Sequence, residues 1–141
     1  MSFIQRVDSA GPLGYQTPDF PSLYWPLPVR AAQAYYLYKP TDIWRFTTIW
    51  TLLFFGTIHL VAAAWACIVQ WRNWKIIWVT LLLYAVIGGL EGIIAGSVVG
   101  GLLGGLYNAG YFRMSTWIPF VWALVNALVL ILSSFAIHGG L

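Results

Sequence analysis

Inside predominantly apolar sequence, His59, Glu91, Ser97 and Asn126 are the polar side chains at depth that are the candidates for chemistry. Ionisable groups at membrane depth are default functional candidates, because a charged one costs roughly 2.5–3.5 kcal/mol to insert. Counted from a turn at Asn73, at 1.5 Å per residue, His59 and Glu91 fall within about 6 Å of the same depth. Counted from a second turn near Tyr111, Asn126 falls opposite Ser97. Three chemistries fit such contacts: interhelical hydrogen bonds worth on the order of 0.6–2 kcal/mol each, a polar pocket for a lipid headgroup or a partner, and a proton relay. A relay usually brings several acids and repeated halves. Here Glu91 is the only glutamate, and the sequence has no internal repeat.

Other chemistry finds no residues to carry it. His59 and His138 are too far apart for a metal pair, and Cys67 is the sole cysteine, which excludes an intrachain disulfide and zinc-ligand spacing. No Ser-His-Asp order, paired carboxylate or nucleotide-binding loop can be assembled. The sequence therefore reads as non-enzymatic, without catalytic residues, metal or cofactor, while a bound phospholipid fits the polar-pocket reading.

The elements that must hold these groups span a membrane. The 141 residues are 60% hydrophobic and only 8% charged, where soluble domains carry about 25% charged residues, and the mean hydropathy is +0.77. Nine tryptophans match the aromatic belts of the membrane–water interface. A net charge of +3 points to anionic headgroups rather than to nucleic acid. Met1–Arg6 has no apolar run of the signal-peptide kind, so the first span is expected to serve as its own insertion signal.

The expected fold is all-α: a polytopic membrane protein with an N-terminal interfacial arm over residues 1–43 and a three-helix bundle over 44–141. The spans are expected at about 44–71, 74–107 and 116–137. Pro12, Pro18, Pro21, Pro26 and Pro28 keep the start of the arm extended. Good helix formers over Val29–Lys39 predict a short interfacial helix that Pro40 breaks, with Thr41 or Asp42 capping the first span. Trp25, Trp44, Trp71 and Trp74 are the expected interfacial anchors. Ser115 or Thr116 is the expected cap of the third span, with Pro119 in its first turn. As one straight helix the second run would be about 50 Å long, which requires tilt, projection, a kink at Gly88-Gly89 or a re-entrant break. The lysine and arginine distribution favours a cytosolic N-terminus.

The second span carries Gly88, Gly92, Gly96, Gly100 and Gly104 at four-residue spacing, a glycine zipper. Such a row is a groove in which another helix or a lipid tail fits closely. Each four-residue step advances about 400° around the helix, a drift that suits a right-handed crossing of about −40°. The bulky first and third spans can fill one side of the groove, leaving the other to an acyl chain or a foreign helix. A partner seated there would be lost on replacing Gly96 or Gly100 by leucine.

The run FTTIWTLLFFGTIHLVAAAWACI from Phe46, a short basic turn, and IIAGSVVGGLLGGLYNAG from Ile93 together resemble the transmembrane protein 170 family. The Trp50-to-His59 and Ala95-Gly96-to-Tyr107-Asn108-Ala109-Gly110 spacings agree with its pattern over roughly Phe46 to Phe135. The family commonly carries a proline near Glu91-Gly92, and this chain does not, so the resemblance assigns no role to Glu91. It implies a three-span, non-enzymatic protein of the endoplasmic reticulum and nuclear envelope, connected with membrane shape, sheet-versus-tubule balance and the membrane base of bridge-like lipid-transfer proteins. Three functions follow as expectations. One is an accessory subunit that packs on a larger integral membrane protein and organises membrane or lipid supply. A second is an autonomous membrane shaper, acting as a homo-oligomer or alone, and a third is a small-solute or proton carrier using His59 and Glu91.

Overall fold

A computed structural model describes residues 14–24 and 35–138 of the chain. Strand β1 (Tyr36–Leu37) leads into helix α1 (Pro40–Val69), then helix α2 (Trp74–Ala109), strand β2 (Met114–Ser115) and helix α3 (Trp117–His138). The apolar runs are helical because backbone polar groups in hydrocarbon must satisfy one another within the segment. All three helices are long and apolar enough to cross a membrane, so this is a multi-pass membrane protein. At 1.5 Å per residue α1 is about 45 Å long, α2 about 54 Å and α3 about 33 Å. A bilayer core is about 30 Å thick, so α1 and α2 are longer than it and must tilt or project. Helix α2 is unbroken from Trp74 to Ala109, which removes the re-entrant break.

Helix α1 occupies the middle. Helix α2 runs antiparallel along most of its length, whereas α3 rests on α1 and barely touches α2. Gly88, Gly92, Gly96, Gly100 and Gly104 are all buried, and α1 is what buries them. A Cβ added at Gly96 would lie 2.7 Å from Thr48 Cα, one at Gly100 3.0 Å from Trp44 Cα, and one at Gly104 2.9 Å from the Pro40 carbonyl oxygen. At Gly92 the nearest atom would be Leu52 Cα, 3.1 Å away. Pro40, Trp44, Thr48 and Leu52 are themselves four apart, so a ridge of each helix meets a ridge of the other at backbone distance. The groove that the sequence left open to a partner or lipid is filled by this chain's own first span. Gly89, Gly101 and Gly105 lie off that line and, among the described residues, have nothing within 4 Å of where a Cβ would stand.

The end of the arm departs from expectation. Where good helix formers predict helix up to Lys39, Tyr36–Leu37 is extended and pairs antiparallel with Met114–Ser115, in the register Tyr36 to Ser115 and Leu37 to Met114. Burial outweighs local propensity here: Leu37 and Met114 are fully buried in a cluster with Ile43, Phe46 and Leu103. Pro40 opens α1 as an N-terminal residue after Lys39, with no side-chain cap from Thr41 or Asp42, a position where its missing N–H costs nothing. Val29–Ala34 and Trp25 lie outside the described residues. Trp44, Trp71 and Trp74 are all exposed at the ends of the hairpin, as interfacial anchors require.

Leucine at position 96 should therefore destabilise the α1–α2 hairpin itself. Overpacking of this kind costs about 1–3 kcal/mol or more, whereas Gly101→Leu should stay within about 0.5 kcal/mol of the parent. Unfolding titrations in mixed micelles of mild detergent and dodecyl sulfate compare the two directly, and equal losses would contradict the packing.

Candidate functional site

Helical spacing puts His59 on the same face of α1 as Phe55, one turn earlier, and its Nδ1 lies 2.9 Å from the Phe55 carbonyl oxygen. A carbonyl only accepts, so Nδ1 carries a hydrogen and donates it. That leaves Nε2 facing Glu91, whose buried Oε2 lies 3.5 Å away, within ion-pair range but without a hydrogen bond. The imidazole side chain is 14% exposed and the carboxyl side chain 45%, so Glu91 forms the outer, lipid-side edge of the pair. Measured along α1, His59 is about 22 Å from Trp44 and about 18 Å from Trp71, close to mid-depth between the anchors. Gly88 makes the arrangement possible: a Cβ there would lie 2.6 Å from His59 Cγ. Tyr84 closes the other side, with ring centroids 6.4 Å apart.

Asn126 and Ser97 do not meet. Asn126 Nδ2 donates to Thr51 Oγ1 at 3.3 Å, because α3 packs on α1 rather than on α2. Depth counting fixes height but not which neighbour a helix leans on. Thr51 and Thr47 are fully buried, and Thr47 returns its hydroxyl to the Ile43 carbonyl. These threonines were missed from sequence, although their four-residue spacing on the face that meets the glycines was available as a signal.

A second polar region lies where the arm meets the helix ends. The Thr17 hydroxyl donates to Asp42 Oδ2 at 2.7 Å, the Thr116 hydroxyl to the Ser22 carbonyl at 2.9 Å, and Trp117 Nε1 to the Tyr24 carbonyl at 2.8 Å. Tyr24 and Ser115 share a hydrogen bond of 2.9 Å between hydroxyls, and the Tyr15 hydroxyl donates to the Tyr36 carbonyl at 3.2 Å. Of the residues expected as helix caps, Asp42 and Thr116 thus hold the arm, while Ser115 Oγ also accepts from Trp117 N–H at 3.4 Å. Phe20 drives the arm inward, 5.5 Å from the Phe46 ring and 5.0 Å from Trp50. Burial, and then the Asp42 carboxylate, push the Tyr15 phenol up from its ordinary value, which favours the neutral hydroxyl that makes this bond.

Comparison with known proteins adds an independent line. A family model described as Transmembrane protein 170A/B-like matches residues 36–141, reaching back past Phe46 to the first residue of β1. The chain is 37% identical over 138 residues to Uncharacterized protein YPR153W of Saccharomyces cerevisiae, covering 98% of this chain and 96% of that protein. No solved structure matches.

A double-mutant cycle on His59→Ala and Glu91→Ala should give a coupling energy of about 0.6–2 kcal/mol, the range for polar pairs between membrane helices. Unfolding in mixed micelles measures it, and additive losses would show that the two groups are neighbours without interaction.

Proposed function

This chain belongs to the Transmembrane protein 170A/B-like family, and from that premise we propose that it is a non-enzymatic accessory subunit of a larger membrane assembly in the endoplasmic reticulum. There it binds membrane lipid and helps to organise membrane or lipid supply, with a bridge-like lipid-transfer protein as the candidate large partner. One observation carries the reading. The small-residue line of α2 that faces α1 is occupied, but at Gly89, Gly101 and Gly105 none of the described residues comes within 4 Å of where a Cβ would stand, on a side of α2 that α3 leaves free by leaning on α1. Small residues admit a further helix at backbone distance, as the first line admits α1. The partner's helix is thus expected beside α2, on the face that the chain does not use itself. Such a role needs no reacting groups, only a rigid shape in the bilayer.

A second reading has its own support in the asymmetry of the molecule. At one end the arm, both strands and all three helices crowd together, while α1 and α2 alone run on at the other, since α3 is the shortest helix. A body wider at one leaflet acts as a wedge, which is what an autonomous shaper of endoplasmic reticulum or nuclear envelope membrane requires.

Affinity purification of the tagged chain in mild detergent should recover one large membrane protein in stoichiometric amount. Gly101→Leu should reduce that recovery, and isolation of monomer or homodimer alone would overturn the subunit reading. For the wedge, purified protein reconstituted alone should tubulate or shrink vesicles, and vesicles of unchanged size would exclude it.

A further inference from the structure

An open cleft of about 560 Å³ lies between the arm and the corner where β1 turns into α1, roomy enough for a small headgroup. Its walls are aromatic and acidic: Tyr15, Tyr35, Tyr36 and Tyr38 line it together with Asp19. Tyr15 and Tyr38 meet edge to face with centroids 4.9 Å apart, so their rings form a corner. Rings in this region already attract cations. Lys39 Nζ stands 5.8 Å from the centre of the Tyr15 ring, and the Arg113 guanidinium 4.3 Å from that of Tyr36. Asp42 is engaged by Thr17, whereas Asp19 makes no ion pair among the described residues. The corner directly precedes the first residue of α1, and β1 is paired to the strand that precedes α3. The cavity therefore lies at the end of the bundle where α1 and α3 begin, which suits the height of lipid headgroups.

We propose that this cavity receives the quaternary ammonium of a phosphocholine headgroup. A methylated ammonium donates no hydrogen bonds, so it is held by ring faces and a nearby negative charge, the combination offered by Tyr35 and Tyr38, whose rings carry neither Lys39 nor Arg113, together with Asp19. The phosphate that follows it is an anion, and Lys39 and Arg113, each seated on a lining ring, supply the matching charge. An anionic headgroup with no ammonium would instead bring its charge towards Asp19. The inference rests on the lipid-binding half of the reading above and not on the presence of a partner protein.

The purified full chain, offered equal amounts of dimyristoyl phosphatidylcholine and dimyristoyl phosphatidylglycerol, should retain the former in native mass spectrometry. Tyr35→Leu and Tyr38→Leu should weaken retention by about two- to thirtyfold, Tyr38→Phe should restore it, and the exposed Asp19→Asn should weaken it with the fold intact. Glycerophosphocholine distinguishes the sources: displacement of the lipid assigns the site to phosphocholine compounds at large, and persistence of the lipid assigns it to the membrane. Equal retention of phosphatidylglycerol would overturn the proposal, as would a Tyr38→Leu chain that binds like the parent or a Tyr38→Phe chain as weak as Tyr38→Leu. Because the isolated chain is used, loss of the partner protein leaves these outcomes unchanged.

Discussion

Backbone-to-backbone contact between α1 and α2 is the constraint from which the rest of the structure follows. Without a hydrophobic drive between helices in lipid, association depends on close van der Waals packing, and only a line without side chains allows it. The five glycines supply that line, and the Cα atoms of Trp44, Thr48 and Leu52 occupy it. In water the same glycines would weaken a helix by roughly 1 kcal/mol each relative to alanine. In a bilayer the unsatisfied backbone is the worse alternative, so the helix survives and the lost side chains become contact area. With α2 committed to α1 on one side, α3 takes another side of α1, and the bundle becomes a row with α1 in the middle.

A row of three helices holds little core in the membrane, and its largest cluster of buried apolar side chains sits at one end. Leu37, Ile43, Phe46, Leu103 and Met114 come from both strands and two helices, with Phe20 of the arm packed against them. Polar groups at the helix ends then join the same unit. Asp42 and Thr116 lie where a soluble helix would use them as caps, yet they bind Thr17 and Ser22 of the arm. A carboxylate in the first turn of α1 still benefits from the helix dipole. One residue thus stabilises the helix electrostatically and anchors the arm by a hydrogen bond.

What the sequence made legible is what depends on one dimension. Hydropathy marks the spans and tryptophans mark their ends. Counting from Asn73 brings His59 and Glu91 to one level, because rise per residue is nearly constant in a helix. Azimuth and choice of neighbour are not in that count, and Asn126 shows the consequence by meeting Thr51 instead of Ser97. Tyr36–Leu37 shows another: helix propensities differ by tenths of a kcal/mol, while burying a leucine is worth about 1.5–3 kcal/mol. The pairing of β1 with β2, more than seventy residues apart in sequence, leaves no local trace from which to read it.

The glycine line also decides where a polar pair can exist. At Gly92, Gly96, Gly100 and Gly104 the missing side chain is filled by backbone or by short contacts of α1, but at Gly88 it is filled by an imidazole. Any larger residue at 88 would push that ring away from α2 and towards lipid. Its Nδ1 is tethered to the Phe55 carbonyl, so the ring turns about a fixed edge and Nε2 faces Glu91 across the helix contact. Gly88, the first glycine of the line, is thus both a packing residue and the seat of the His59–Glu91 pair. Close approach of the helices and the contact between His59 and Glu91 depend on the same absent side chain.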